Sequence, residues 1–119
     1  MLRLLRLFTG RIILVLDSMF RPTPRPRSQE DQTRVDALTK SFALYQFESC
    51  PFCVKVRRAI RRENLNIELR DAANNEQFKA ELIEGGGEYQ VPCLRIQHPD
   101  GTIKWMYESS DIIAFLETL

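Results

Sequence analysis

Two cysteines, Cys50 and Cys53, limit most strongly what this chain can fold into. They are separated by Pro51 and Phe52, and they lie between an aromatic-rich, uncharged stretch, residues 42–47, and a segment with helical periodicity. The stretch predicts a buried strand, and a proline is suited to the first turn of a helix. A C-x-x-C motif at a strand-to-helix junction is typical of redox-active thiols.

The predicted helix gives the two thiols different roles. Cys50, at the helix N-terminus, is favoured as a thiolate because unpaired backbone N–H groups and the helix dipole stabilise an anion there. Cys53, one turn later, is expected to be buried and able to close a disulfide. Half of a zinc site and two inert core thiols remain open as alternatives. A zinc site would have only Cys93 and His98 as further ligands.

The residues after the motif predict a compact α/β unit. Apolar periodicity, turn residues and glycines divide it into elements. These are a helix to about residue 63, a parallel strand over 66–70, a polar helix over 75–84 ended by the glycine run 85–87, strands over 91–97 and 102–107, and a helix opening at Ser109 or Ser110. The predicted fold is β-α-β-α-β-β-α, a mixed four-stranded sheet with helices on both faces.

Residues 1–20 predict an amphipathic helix. One broad face carries Leu4, Leu5, Phe8, Ile12, Ile13, Val15, Leu16, Met19 and Phe20, and the other carries Arg3, Arg6, Gly10 and Asp17. The longest run of large apolar residues, Ile12–Leu16, is far shorter than the about 20 residues that a spanning helix needs. The pattern favours a helix lying in a membrane interface. A short spanning helix and a removable presequence remain open.

A proline- and arginine-rich segment, residues 21–27, follows and predicts an extended spacer. Polar residues 28–41 continue it as linker or a loose turn of helix. We therefore expect three parts: an N-terminal helix over 1–20, a linker over 21–41 and a domain over 42–119. The basic residues after the helix predict a cytoplasmic location for the domain, tethered to the cytoplasmic face of a membrane.

Charge and cysteine content exclude several classes. The net charge of +1 argues against a nucleic-acid-binding protein. Three cysteines are too few for a disulfide scaffold. Cys93 is expected to be a small buried core residue. The arginines after the motif (Arg57, Arg58, Arg61 and Arg62) are expected to form a solvated basic patch.

Residues 42–119 resemble the glutaredoxin family of the thioredoxin fold, close to the N-terminal domains of glutathione transferases. Cys50-Pro51-Phe52-Cys53 is similar to the family's Cys-Pro-Tyr-Cys. Val91–Pro92 is similar to the Val–Pro before the third strand, where the proline is cis. Glu108–Ser109 resembles the Glu-Ser signature of the transferase domains.

The resemblance implies a glutathione-dependent thiol–disulfide oxidoreductase, with glutathione as co-substrate and with disulfide-bonded or glutathionylated proteins as partners. Cys50 and Cys53 would be catalytic, and no metal is expected. In this family the backbone at Val91 would pair with the cysteinyl part of glutathione. Ser109 would take its γ-glutamyl carboxylate. The residues implied for glutathione are Phe52, Val91, Pro92, Glu108 and Ser109.

One departure from the family weakens this expectation. Phe47 stands where many glutaredoxins carry Lys or Arg for the glycyl carboxylate of glutathione, so weaker binding is expected unless Lys55 or another base substitutes. Two other functions remain open. One is a thioredoxin-like reductant that does not depend on glutathione, and the other is a non-enzymatic module that holds an iron–sulfur cluster or a metal.

Overall fold

The computed structural model describes the backbone of residues 2–119 and the side chains of residues 10–17 and 19–119. Within this part of the chain, nine regular elements follow one another. They are α1 Leu2–Met19, α2 Gln29–Thr39, β1 Phe42–Gln46, α3 Pro51–Arg62, β2 Glu68–Asp71, α4 Glu76–Glu81, β3 Cys93–Gln97, β4 Ile103–Met106 and α5 Ser109–Leu116. From β1 onward, their order is the predicted β-α-β-α-β-β-α.

The four strands form one mixed sheet in the order β2-β1-β3-β4. β1 runs parallel to β2 and antiparallel to β3, with Tyr45 opposite Cys93. β3 and β4 pair antiparallel, with Leu94 opposite Met106. The predicted parallel pair and the predicted hairpin are therefore both present.

Alternate residues of β1 supply two hydrophobic cores, one on each face of the sheet. Phe42 and Leu44 pack with buried residues of α3 and α5. Ala43 and Tyr45 pack on the other face with Leu82, which follows α4. Helices thus cover both faces of the sheet, and the thioredoxin-like α/β fold expected from the sequence is confirmed.

Residues 29–39, expected as part of a linker, form the helix α2. Ser28 caps it, because the Asp31 backbone N–H donates to the Ser28 Oγ at 3.1 Å. Val35 is completely buried in the larger core. Thr39 is buried as well. The segment has too few apolar residues to show helical periodicity, so its burial depends on the tertiary contacts of these two side chains. The division of the chain into three domains stays a prediction.

The proline- and arginine-rich segment lies along the end of α3 instead of extending as a free spacer. Arg61 donates a hydrogen bond to the Pro22 carbonyl oxygen at 3.0 Å. The Arg27 guanidinium, which is only 1% exposed, donates twice to the Glu63 carbonyl oxygen, at 3.0 and 2.8 Å. The segment is therefore part of the folded body.

α1 packs against α3 and against the loop before it. Arg58 donates to the Asp17 carboxylate at 2.9 Å and to the Phe20 carbonyl oxygen at 2.8 Å. Gly10 faces Ser49 so closely that a Cβ there would lie 2.9 Å from the Ser49 Cβ. The arginines of α3 were expected to form a solvated patch. Arg58 and Arg61 instead donate hydrogen bonds to the N-terminal segment.

The apolar face expected for α1 can be followed from residue 10 onward. Five of its expected members are exposed: Ile12, Val15, Leu16, Met19 and Phe20. Leu4, Leu5 and Phe8 lie outside the described side chains. None of the helices among residues 2–119 combines the length and the apolar content needed to cross a membrane.

The glycine run after α4 lies closer to the sheet than the sequence indicates. A single turn of π-helix, Leu82–Gly86, continues α4, and Gly87, with φ of +90°, ends it. Side chains at the first two glycines would overlap the Trp105 ring and the Tyr107 hydroxyl. The predicted helix end near residue 84 is therefore two residues short, because the first two glycines are still helical and pack closely against the sheet. The prediction that the glycine run stops the helix is confirmed at its third residue.

Candidate active site

Cys50 occupies the N-cap of α3, directly before Pro51 at the first helical position. Its thiol is half-buried. Its carbonyl oxygen accepts the first hydrogen bond of the helix, from the Val54 backbone N–H at 2.9 Å. The sulfur therefore lies at the positive end of the helix dipole, where an anionic sulfur is stabilised.

Cys53 lies one turn into α3 and is completely buried. Its sulfur accepts a hydrogen bond from the Phe47 backbone N–H at 3.4 Å. Burial raises the pKa of the Cys53 thiol, and the neighbouring Cys50 sulfur raises it further. The first turn of α3 thus holds a half-exposed sulfur next to a buried sulfur that stays protonated.

Arg57, on the same face of α3, holds the loop that leads to Cys50. Its guanidinium donates to the Phe47 carbonyl oxygen at 3.2 Å, to the Glu48 carbonyl oxygen at 2.6 Å and to the side-chain oxygen of Gln46. Three consecutive residues, 46–48, thus each have an oxygen atom that accepts a hydrogen bond from Arg57. This role of Arg57 was not predicted from the sequence, although Arg57 follows Cys50 by seven residues, the separation that places two residues on one helix face.

The Val91–Pro92 peptide bond is cis, as the resemblance implied. Because Tyr45 pairs with Cys93, the residues before β3 lie beside the end of β1 and the loop that carries Cys50. Val91 is half-buried and Pro92 is buried. The predicted strand start at residue 91 is wrong by two residues, since a proline has no N–H to donate to the ladder.

The N-terminus of α5 reaches the same end of the sheet. Leu94 pairs with Met106 in the antiparallel hairpin, so the residues that follow β4 run back alongside Pro92. Glu108 is the N-cap of α5, and within the described part of the chain its side chain accepts no capping hydrogen bond. Ser109, half-buried, is the first residue of α5. The prediction that this helix opens at Ser109 or Ser110 is therefore confirmed at Ser109.

Two aromatic side chains flank the cysteines. Phe52 is 55% exposed, and the Lys55 Nζ lies 5.6 Å from the centre of its ring. Phe47 packs instead on Tyr89, with 5.7 Å between the ring centres. Tyr89, which the sequence analysis did not single out, is fixed by a hydrogen bond of 2.8 Å from its hydroxyl to the Ala72 carbonyl oxygen.

Cys93, the third thiol, is completely buried in the smaller core, as expected. Burial raises its pKa to about 12, even though the Tyr107 hydroxyl lies close enough to favour its thiolate. Among residues 2–119, no three side chains of His, Cys, Asp or Glu come together as ligands for a metal ion.

The family model of glutaredoxin matches residues 42–98, which extend from the start of β1 to the residue after β3. The matched region contains both cysteines of the motif and the cis Val91–Pro92 bond. No curated protein matches the chain at a significant level.

Proposed function

We propose that this chain, whose residues 42–98 belong to the glutaredoxin family, is a glutathione-dependent thiol–disulfide oxidoreductase that acts through Cys50 and Cys53. One observation carries the proposal: the half-exposed Cys50 occupies the N-cap position of α3, one turn before the buried Cys53. The family performs thiol–disulfide exchange, and that chemistry requires an accessible thiolate with a second thiol in reach.

In the first reaction, the Cys50 thiolate attacks the glutathione sulfur of a protein–glutathione mixed disulfide. A disulfide forms between Cys50 and glutathione, the original disulfide breaks, and the protein sulfur leaves as a thiolate that takes a proton from water. The thiolate of reduced glutathione then attacks the glutathione sulfur on Cys50. Oxidised glutathione leaves and the Cys50 thiolate is restored, so that one reduced glutathione is consumed for each protein thiol released, and the other half of the oxidised glutathione comes from the substrate.

Protein disulfides would take a second route through Cys53. Cys50 attacks the substrate disulfide and forms a mixed disulfide, and Cys53 then attacks the Cys50 sulfur. The substrate leaves as a dithiol, and the new Cys50–Cys53 disulfide is reduced by two molecules of glutathione. Burial keeps Cys53 protonated, so it must lose its proton during the attack and does not compete as the first nucleophile.

The surroundings of Cys50 support glutathione as the thiol that is used. The pairing of β3 with β1 and with β4 places Val91–Pro92 and the start of α5 at the end of the sheet where the C-x-x-C motif lies. The backbone N–H groups that open α5 suit a carboxylate, because a helix N-terminus binds anions. We propose that Ser109 and these groups take the γ-glutamyl carboxylate, that Glu108 meets the α-amino group, and that Phe52 forms a flat wall beside the sulfur.

A second candidate is a thioredoxin-like reductant that does not depend on glutathione. It is favoured by Phe47, whose ring packs on Tyr89 at the position where many glutaredoxins carry a base. A glycyl carboxylate would lack that partner. The two candidates share Cys50 and Cys53 and differ only in the thiol that restores them.

The test is a mass measurement on the full-length protein with Cys53→Ser, reduced and then exposed briefly to oxidised glutathione. The expected result is one glutathione adduct, mapped to Cys50 and removed by reduced glutathione. Cys50→Ser is the matched control and should gain no adduct. If Cys53→Ser gains none either, while the unaltered protein forms a Cys50–Cys53 disulfide with other oxidants, the second candidate replaces the proposal.

A further inference from the structure

α1 has two faces of opposite character. The inner face consists of Gly10, Leu14 and Asp17, at the spacing i, i+4, i+7. Gly10 contacts Ser49, and Asp17 accepts a hydrogen bond from Arg58. The outer face is a stripe of large apolar side chains at the spacing i, i+3, i+4, i+7, i+8, and it consists of Ile12, Val15, Leu16, Met19 and Phe20.

The apolar side chains of the stripe are exposed to solvent and, among the residues that the structure describes, pack against no other part of the protein to a large extent. Its five side chains are between 44% and 68% exposed. Single exposed apolar residues are common on protein surfaces, but a contiguous group marks an interaction site. The stripe cannot turn inward by a simple rotation of α1, because Arg58 holds both the Asp17 side chain and the Phe20 carbonyl oxygen.

The charge around the stripe indicates what covers it. Residues 1–27 contain six arginines and a single acidic residue, Asp17, and two of the arginines, Arg25 and Arg27, are paired with Glu63 and Asp31. Asp17 is turned inward and paired with Arg58 at 2.9 Å, while Arg11 and Arg21 are exposed. A second copy of the chain would bring two such basic segments together and be repelled. Anionic lipid headgroups would be attracted, and their acyl boundary would take the apolar stripe.

We propose that the outer face of α1 docks on the surface of an anionic lipid bilayer, with the apolar stripe buried among the lipids. This goes beyond the redox function and does not depend on it. Because the inner face of α1 contacts Ser49, the residue before Cys50, the active-site loop would be held roughly one helix diameter, ~10 Å, from the lipid.

This position has a consequence for substrates, which rests on the proposed function. A mixed disulfide on a membrane-anchored protein would meet Cys50 far more often than one in solution, since both would be confined to one surface. The substrate class inferred is therefore glutathionylated thiols close to a membrane.

The experiment measures binding of the full-length protein to vesicles by flotation. Vesicles of phosphatidylcholine with phosphatidylglycerol are compared with vesicles of phosphatidylcholine alone. Val15→Gln with Met19→Gln removes the centre of the stripe, and Leu38→Gln with Ile103→Gln is the matched control, since those two are exposed apolar residues outside α1. We expect the stripe variant to bind the anionic vesicles about tenfold more weakly and the control to bind as the unaltered protein does. Arg11→Gln with Arg21→Gln should weaken binding to the anionic vesicles only.

Three results would overturn the proposal: no binding of the unaltered protein to anionic vesicles, equal binding by the stripe variant, or a dimer in sedimentation equilibrium that the stripe variant loses. Cys50→Ser separates this question from the redox function, because it should bind vesicles normally while losing activity. The stripe variant should reduce a soluble glutathionylated peptide at the normal rate. If a lipid-anchored form of that peptide is reduced no faster by the vesicle-bound protein, the substrate class is wrong although docking stands.

Discussion

Arg57 donates a hydrogen bond of 3.2 Å to the Phe47 carbonyl oxygen, and in doing so it ties the start of the active-site loop to the helix that the loop leads into. Phe47 in turn donates its backbone N–H to the buried sulfur of Cys53. The loop conformation at Cys50 is thus determined from two sides, by a guanidinium and by the second thiol of the motif. Two residues of α3, Arg57 and Cys53, therefore position Cys50.

Arg57→Met should loosen this loop. We expect a stability loss of about 1–2 kcal/mol, because two part-buried hydrogen bonds and one exposed hydrogen bond from a charged group are removed. We also expect the backbone amides of Glu48 and Ser49 to exchange hydrogen faster. Thiol–disulfide exchange between Cys50 and glutathione disulfides should be several-fold slower. Arg62→Met, an exposed site at the other end of the same helix, is the control. If Arg57 had a purely structural role, the substitution would lower stability but leave amide hydrogen exchange in the loop and the reaction rate of Cys50 unchanged in the folded protein.

The fold from β1 onward could be predicted because its pattern is local. Alternation, turn residues and one C-x-x-C motif define the elements, and the order of elements leaves few topologies. Helix α2 could not be found this way, since Val35 is its only apolar residue that is fully buried and its other buried residue, Thr39, is polar. The cap at Ser28 with Glu30 and Asp31 in the first turn was the available signal. Capping alone does not separate a short surface helix from a polar linker.

The residues of the candidate site also differ in whether the sequence predicts them. The cysteines and the Val91–Pro92 pair are recognisable in the sequence because their chemistry or backbone is unusual. Arg57 and Tyr89 are common residue types, and their partners are backbone carbonyl oxygens. Such contacts depend on how a loop folds back, which no residue pattern specifies. Helical spacing from Cys50 was the one signal for Arg57, and no signal existed for Tyr89.

Arg27→Met should destabilise the protein by about 1–3 kcal/mol, because its buried guanidinium satisfies the Glu63 carbonyl oxygen at the end of α3. Arg34→Met is a matched control. Arg34 pairs with the same carboxylate, Asp31, but its side chain is 55% exposed, and exposed pairs contribute little. Urea unfolding of both variants measures the difference. Equal midpoints would mean that residues 21–39 unfold separately from the rest of the chain.

Cys93 should make stability fall at alkaline pH. Its pKa is raised from 9.0 to about 12 in the folded protein, so folding favours the protonated thiol. This contribution is complete below pH 9 and is lost as the pH rises from 9 toward 12, by at most about 1.4 kcal/mol per pH unit. Urea unfolding at several pH values between 8 and 10 should therefore show a shallower decline for Cys93→Ala. Identical slopes for both proteins above pH 9 would contradict the prediction, whereas parallel curves below pH 9 are expected.

Phe47→Lys should strengthen glutathione binding. The Phe47 ring packs on Tyr89 beside the active-site loop, and a lysine stem could follow the same ring while its ammonium reaches water at the groove. If Phe47 is the reason for weak recognition of the glycyl carboxylate, the KM for glutathione should fall about three- to tenfold with little change in kcat, and the gain should shrink at high salt.

Phe47→Leu is the control for this last substitution, because it alters the packing on Tyr89 without adding a charge. Steady-state reduction of a glutathionylated peptide gives KM and kcat for all three proteins. A fall in KM for Phe47→Lys alone would show that the missing charge, and not the shape of the groove, limits glutathione recognition. An equal KM in both variants would mean that another base, with Lys55 beside Phe52 the nearest candidate, already meets the carboxylate.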